Sequence, residues 1–396
     1  MKINYQLMYV FLLILSGCGS PNTENERAEI SNTIGIELEI KGTLVLELDS
    51  QTSLSGVSSF GYDQLSNTIY MYEFLNNRIL TYSRSGELIN QISMPKDGKD
   101  EIFGSYNTGL LMRGNIAYFN EPNKFRISIA DLSEGILVTH RFQYDMDDVQ
   151  FKFETGTGPF TLFSTPILFR ENKLYFTANL FEGKFQTMKD LKVDETYKIN
   201  SAYVYDIEKN ELDAFLPRPN QLDNGYRGEG LKFKVSHTLN PLTNSIVYAI
   251  GAYDKLIEVK ADGSITHHPI GSELTNDFAP FSTELKVMPR EKWMEYEYTT
   301  AEVSNVLFDQ YKKLYYVFIK KGQTSEAYLD PSTSGLRDYS LVVIDENFNF
   351  LGEKIIDAGY DPNYNLIFED GLYILRKDLY NQNDDYMTFD QIEIVR

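Results

Sequence analysis

The stretch NTIYMY at residues 67–72 is the unit whose repetition decides the fold. After it come the strand ILTY at 79–82, a turn that ends in Gly86 and the strand ELINQI at 87–92. Short runs of β-branched and aromatic residues separated by polar turns are typical of antiparallel strands. A unit of this kind predicts an all-β protein if it recurs along the chain.

The unit recurs five more times, and each copy has a tyrosine at the matching position. These tyrosines are Tyr70, Tyr118, Tyr175, Tyr248, Tyr315 and Tyr373. A propeller blade of four short strands takes about 40–50 residues, so the spacing fits six blades with long loops. The sixth copy is one strand short, and GTLVLEL at 42–48 can complete it. We therefore predict a six-bladed β-propeller over residues 42–396 in which an N-terminal strand completes the last blade. A large β-sandwich or two small β domains is the alternative.

The N-terminal residues predict export and anchoring. A positively charged start precedes the apolar run LMYVFLLIL at 7–15, which suits a signal peptide and is too short to span a bilayer. The run leads into LSGC at 15–18, which resembles the bacterial lipobox, where a cysteine after small residues becomes lipidated. We expect residues 1–17 to be a signal peptide, Cys18 to carry the lipid and residues 18–41 to form a flexible tether. The alternative is a signal peptide followed by a chance cysteine.

The composition excludes several classes of function. The chain of 396 residues has 37 Lys and Arg against 57 Asp and Glu, which gives a net charge of −20. Such an excess of negative charge disfavours nucleic acid and anionic lipid surfaces as partners. With a single cysteine, the chain can form neither a disulfide framework nor a cysteine-based zinc site of its own.

A glycine-aromatic motif precedes three of the blades. It reads GKDEIF at 98–103, GTGPF at 156–160 and GEGLKF at 228–233. Together with the lipobox, the motif resembles the six-bladed propeller lipoproteins of Bacteroidota, which are related to the NHL-like propeller group and often lack an assigned activity. The resemblance implies a lipid-anchored protein of the cell envelope, and we expect the outer membrane, with the leaflet left open. It transfers no catalytic residue to this chain.

The long loops all fall on one face of the predicted propeller. In a four-stranded blade, the connections between blades and between the second and third strands share one face, which we call the long-loop face, and the other face keeps short turns. Loops on a rigid scaffold are where binding usually resides. The predicted ligand-face residues are Arg78, Glu101, Arg126, Arg227, Glu229, Tyr253, Asp254 and Asp361. Arginine can fork a carboxylate or sugar hydroxyls, and tyrosine can stack on an apolar ring. The alternatives are that Arg78 and Arg126 only orient their own hairpins, and that the loops are surface elaboration.

Two further features of this arrangement are predicted. A helix is expected around residues 289–296, in the connection between blades four and five, because proline suits a first helical turn. The completing strand should begin on the short-turn face, so the tether should enter the ring there.

Metal and catalytic motifs are sparse. DMDD at 145–148 begins like a calcium loop but lacks the glycine and the final glutamate that such a loop requires. Among the four histidines only His237, on a predicted inner strand, is a weak candidate for a metal ligand. We find no nucleophile elbow, phosphate loop or HExxH motif. We therefore expect no cofactor, with one axial divalent metal such as calcium or zinc as the alternative.

The sequence thus favours a non-enzymatic binding or scaffold propeller. Its partners would be the membrane, through the lipid, and a glycan, a peptide or an envelope protein on the long-loop face. The alternative function is a metal-dependent lyase or hydrolase with an axial site of carboxylates and histidine.

Overall fold

The propeller predicted from the tyrosine repeat is confirmed. The computed structural model describes residues 33–144, 157–160, 165–180, 200–217, 219, 234–278, 290–330, 332 and 336–395. Over these residues the chain forms six antiparallel sheets that are the blades of a six-bladed ring. The first strands of neighbouring blades contact one another, so they line the axis.

Blades one to three follow one another along the chain. Blade one consists of Val57–Asp63, Thr68–Glu73, Arg78–Ser83 and Leu88–Ser93. Blade two consists of Gly109–Arg113, Ile116–Glu121, Arg126–Asp131 and Leu137–Gln143. In blade three, Thr157–Phe160 and Leu168–Arg170 share the inner edge of Lys173–Leu180, and Asn200–Asp206 and Glu211–Pro217 follow. The first strand of blade three is thus divided into two short pieces.

Blades four to six complete the ring. Blade four consists of Val235–Asn240, Ser245–Ile250, Lys255–Val259 and Ile265–Pro269. Blade five consists of Glu302–Asp309, Leu314–Lys320, Tyr339–Asp345 and Phe350–Ile356. Blade six contains Tyr360–Phe368, Gly371–Arg376 and Tyr386–Val395 and takes its outer strand from the N-terminal part of the chain.

That outer strand of blade six is Glu37–Glu47, which we call the closing strand. It pairs antiparallel with Tyr386–Val395 along its whole length, from Glu37 opposite Val395 to Glu47 opposite Tyr386. The closing strand begins at Glu37 rather than at the predicted boundary, so residues 37–41 belong to a blade and not to a tether. Pairing an early strand with a late one joins the two ends of the ring.

The path of the chain before the closing strand corrects one expectation. Thr33–Ile34 adds a fifth strand to blade five, antiparallel to Phe350–Ile356. There the chain runs along the outer edge of blade five toward the short-turn face, and it turns at Gly35 into the closing strand. The closing strand itself begins on the short-turn face, as predicted, but the chain reaches it along the side of blade five.

The repeated tyrosines lie in the cores between blades. Each of the six is at most 9% exposed. Aromatic contacts join neighbouring blades around the ring: Tyr72 and Phe119 join blades one and two at 5.9 Å between ring centroids, and Phe60 and Phe389 join blades one and six at 5.4 Å. Large aromatic side chains bury much apolar area each, so this spacing of tyrosines supplies the inter-blade core.

Asparagine sets several of the tight turns. Asn67, Asn77, Asn172, Asn210 and Asn244 have left-handed backbones, with φ between 55° and 59°. Asparagine tolerates this region better than most residues with a side chain. The turns between strands are therefore encoded locally.

In the described part of the chain, the α-helices lie on the long-loop face. Arg290–Thr299 lies between blades four and five, as the proline signal predicts. Two further helices, Ser325–Leu329 and Lys377–Tyr380, lie between the second and third strands of blades five and six, where no helix is predicted. Thr324 caps the first of them by accepting a hydrogen bond from the Ala327 amide at 3.2 Å.

Truncation of Leu46 tests how much the closing strand stabilises the ring. Leu46 is fully buried, whereas its neighbour Val45 is 43% exposed. We expect Leu46→Ala to lower the free energy of unfolding by about 2–5 kcal/mol, because it leaves a cavity in the core. The matched control Val45→Ala should change it by less than about 0.5 kcal/mol. Urea denaturation followed by circular dichroism measures both, and equal effects would contradict the role of the buried side of this strand.

Candidate functional site

The described ligand-face candidates all lie at the long-loop end of the blades, and the structure brings Arg126 and Glu101 into contact but does not gather all of them at one site. Arg78 and Arg126 start third strands, Glu101 lies between blades one and two, and Tyr253 and Asp254 lie in a turn of blade four. Three other predicted site residues, Cys18, Arg227 and Glu229, lie outside the described residues.

Arg78 is a clamp for the segment that follows the closing strand. Its Nη1 and Nη2 donate to the two carboxylate oxygens of Asp49 at 2.6 and 2.7 Å, and its Nε donates to Glu73 at 3.1 Å. Arg78 is 2% exposed and Glu73 is fully buried. The hydrogen bonds from Arg78 lower the pKa of Asp49 to about 2. With its guanidinium occupied in this way, Arg78 fixes the closing strand to blade one.

Arg126 repeats this arrangement in blade two. Its Nε and Nη2 donate to the two oxygens of Glu121 at 2.8 and 2.6 Å, and its Nη1 donates to Glu101 at 2.9 Å. Both clamps join a glutamate at the end of a second strand to the arginine directly opposite it on the third. The interpretation that each arginine orients its own hairpin therefore accounts for these contacts, while the carboxylate of Glu101 stays partly exposed.

The remaining candidates differ in accessibility. Tyr253 is 3% exposed, and its hydroxyl lies 2.9 Å from Nδ1 of His267. Asp254 is exposed. Asp361 is partly exposed and lies at the start of the inner strand of blade six. Of these three, Asp361 alone is close to other charged side chains at the axis.

His237 lies deep in the ring and is neutral. It is 1% exposed, and Nε2 donates to the carbonyl of Pro166 at 2.6 Å, because a carbonyl can only accept. Burial lowers the pKa of His237 to about 4. Among the described residues no group of three or more His, Cys, Asp or Glu side chains is placed to hold a metal ion. In this part of the chain, His237 is thus an isolated histidine without the further side chains that a metal site requires.

A cluster of charged side chains lies where the axis opens on the long-loop face, over blades four to six. We call it the axial charge cluster, and its members are Lys234, Glu297, Glu302, Lys320, Arg337 and Asp361. Lys234, Glu302 and Asp361 lie at the start of the inner strands of three consecutive blades. These positions are neighbours only because the blades converge on the axis.

Hydrogen bonds connect the cluster across the blades. Lys234 Nζ of blade four donates to Asn363 Oδ1 of blade six at 3.3 Å, and the side-chain amide of Asn363 donates to Asp361 at 2.7 Å. Beneath them, Ser236 donates to Asn305 at 2.8 Å. The lysine and the aspartate are thereby held on one polar network.

Arg337 builds the wall of the cluster. Its guanidinium donates to the carbonyls of Lys321, Glu297 and Thr300 at 2.6, 3.0 and 2.6 Å, and it lies 3.7 Å from Glu302. Arg337 is 3% exposed. These contacts hold the end of the helix Arg290–Thr299 against blade five, so Arg337 positions the site instead of presenting its charge.

Lys234 and Lys320 are the cations that the cluster presents. Both are partly exposed, and burial nevertheless lowers the pKa of each, against the opposing attraction of Glu302 and Asp361. An ammonium group that has lost much of its water gains from any new hydrogen-bond acceptor. With Asp361 beside them, the lysines form a mixed donor and acceptor surface that suits hydroxyl, amide or carboxylate groups of a ligand.

Sequence reasoning missed this cluster except for Asp361. The sequence does contain a signal for it. KVS at 234–236 and EVS at 302–304 each have a charged residue directly before Val-Ser at the start of an inner strand, and DPN at 361–363 has a charged residue at the start of the next inner strand.

Comparison with known proteins identifies the family. Residues 35–355 match the family described as Domain of unknown function (DUF4221), so the chain belongs to that family. A crystal structure of a DUF4221 member from Bacteroides vulgatus has a TM-score of 0.70 at 14% identity and covers 91% of this chain and 99% of that one. A putative exported protein from Bacteroides fragilis has a TM-score of 0.51 at 12% identity and covers 91% and 96%. The search of curated proteins gave no match. None of the helices in the described part of the chain is long and apolar enough to cross a membrane.

The burial of His237 predicts a pH-dependent loss of stability. Its pKa is about 4 in the folded chain and near the ordinary value of 6.5 when unfolded, so the unfolded chain binds the proton first as the pH falls. The contribution is therefore complete above pH 6.5 and is lost between about pH 6.5 and 4. We expect the wild type to lose about 2–3 kcal/mol more than His237→Gln between pH 7.5 and 4.5. Urea titrations at both pH values measure this difference, and equal losses would contradict a neutral buried histidine.

Proposed function

We propose that this member of the DUF4221 family is a lipid-anchored protein of the cell envelope that binds a ligand on its long-loop face, over the axial charge cluster. The ligand is a glycan, a peptide or an envelope protein, and the role is one of binding or scaffolding. The observation that carries the proposal is the pair of partly buried lysines, Lys234 and Lys320, beside Asp361 at the mouth of the axis. Convergent polar groups on a rigid ring are the usual basis of a binding site.

The location rests on the N-terminal sequence. The apolar run at 7–15 and the lipobox-like LSGC at 15–18 support export and lipidation of Cys18. The structurally similar protein from Bacteroides fragilis is described as a putative exported protein, which is consistent with the same compartment for this chain. We place the protein at the outer membrane, without choosing between its two leaflets.

A metal-dependent lyase or hydrolase remains the alternative function. It needs several carboxylates or histidines around one metal, and among the described residues no three His, Cys, Asp or Glu side chains are placed to hold one. The axial charge cluster mixes cations with anions instead, and that composition supports recognition of a polar ligand.

Replacement of Cys18 tests the anchor. We expect the full-length wild type, expressed in a Bacteroides host, to fractionate with membranes and to incorporate an alkyne-labelled fatty acid, because acyl chains hold it there. Cys18→Ser should lose the label and stay uncleaved or appear in the soluble fraction. Equal labelling of the two proteins would contradict lipidation at this residue.

Lys320→Met tests the axial charge cluster as the binding site. Residues 19–396 are screened against oligosaccharide and peptide libraries by thermal shift, and each hit is measured again by calorimetry on the variant. We expect affinity to fall about tenfold or more, because a charged hydrogen bond to the ligand is lost. The melting temperature should stay the same or rise, since the variant removes a poorly solvated charge.

Lys209→Met is the matched control, because Lys209 is an exposed lysine in a short turn on the opposite face. The ligands found with the wild type should bind Lys209→Met with an affinity within about twofold of the wild-type value. Ligands that bind Lys320→Met as well as the wild type would overturn the proposal. A melting temperature that rises in calcium or zinc relative to EDTA would favour the metal-dependent alternative, since a metal that binds only the folded state stabilises it.

A further inference from the structure

Three exposed aromatic side chains stand on the long-loop face of blade two, away from the blades that form the axial charge cluster. Phe103 is 38% exposed, Tyr106 is 64% exposed and Phe125 is 36% exposed. We call them the aromatic patch. Phe103 and Tyr106 lie in the connection from blade one to blade two, and Phe125 lies in the turn between the second and third strands of blade two.

Local contacts fix the patch to the ring. The amide of Phe103 donates to the buried carboxylate of Glu121 at 2.7 Å, which brings the connection onto the turn that carries Phe125. Tyr106 lies in the turn that leads directly into the inner strand Gly109–Arg113, on the side of the axis. The patch therefore extends from the turn of blade two toward the axis.

Phe125 adopts a backbone that its side chain does not favour. Its φ is 51°, in the left-handed region, where a bulky residue is a rare outlier. The equivalent position in blade one is Asn77, with φ of 56°, and its side chain is buried and donates to the carbonyl of Ile102 at 2.9 Å. Blade two thus has a strained phenylalanine where blade one has the residue that suits the turn. Strain of this kind is typical of functional sites.

Polar groups flank the rings. Lys124 Nζ lies 4.8 Å from the centre of the Phe103 ring, and it acts electrostatically on Glu101, whose carboxylate is partly exposed beside Arg126. Exposed rings with an ammonium group over one of them and a partly exposed carboxylate two residues away match a sugar, which has an apolar C–H face and hydroxyls around its rim. The centre of a protein–protein contact is usually depleted of lysine and glutamate, which both lie next to these rings.

The net charge of the chain favours a neutral polysaccharide over an acidic one. A net charge of −20 repels an acidic polysaccharide, whereas a neutral one meets no such penalty. The axial charge cluster on the same face has both donors and acceptors for hydroxyl groups. We propose that the aromatic patch stacks on the pyranose rings of a neutral polysaccharide. This inference rests on the proposed function and names the ligand class for it.

Phe125→Asn separates binding from folding. Asparagine suits the left-handed turn, so we expect the melting temperature to stay the same or to rise by about 2 °C. Loss of the ring should weaken binding about tenfold. The measurement is affinity electrophoresis of residues 19–396 in native gels that contain laminarin, mannan or xyloglucan, with polygalacturonate as the acidic probe. We expect at least one neutral polysaccharide to retard the wild type, Phe125→Asn to lose that retardation, and polygalacturonate to have no effect.

Two further variants keep the test decisive. Tyr106→Ala removes the most exposed ring and should also weaken retardation, even if Phe125→Asn folds poorly. Tyr311→Ala is the matched control, because Tyr311 is 39% exposed in a short turn on the opposite face, and its retardation should match the wild type. Retardation by the acidic probe alone, by none of the four, or equally in wild type and Tyr106→Ala would overturn the inference. If peptides nevertheless bind in a way that depends on Lys320, the proposed binding function is supported and only the sugar as its ligand is wrong.

Discussion

Closure of the ring by one strand is the constraint on which the rest of the structure depends. The closing strand Glu37–Glu47 supplies the outer edge of blade six, and Arg78 then fixes the residue pair that follows it, Asp49 and Thr52, to blade one. Each inter-blade core is shared by two neighbours, so a gap between any two blades would expose apolar surface on both. The axial charge cluster lies where the inner strands of blades four to six converge on the axis of this closed ring.

The ion pairs of Arg78 and Arg126 contribute both to folding and to the shape of the long-loop face. Each buried arginine is paired with a fully buried glutamate of its own hairpin and with an acidic group from a neighbouring connection. A buried pair of this kind is destabilising when one partner is removed, so the clamps hold the connections rigidly. Phe125, which directly precedes Arg126 in its turn, is then presented from a fixed position.

The fold could be predicted from the sequence because its determinants are local and repeated. The tyrosine at Tyr70 and its five equivalents mark the strands, and the segment at 42–48 supplies the missing one. The site could be predicted only in part, because Lys234, Glu302 and Asp361 meet through convergence on the axis and have no fixed spacing. The chemistry of Arg78 and Arg126 suits a ligand, but their guanidinium groups are buried against glutamates of their own hairpins, and burial does not follow from residue type.

The pairing of the closing strand also sets the order of assembly during synthesis. Glu37–Glu47 is made before any blade, yet its partner Tyr386–Val395 is made only after the five intervening blades. Contacts between such distant parts of a chain form slowly. During elongation the closing strand is therefore unpaired, and the side chains that it buries in the folded ring, among them Leu44 and Leu46, are exposed. An unpaired strand edge of this kind is open to pairing with another chain until Tyr386–Val395 covers it.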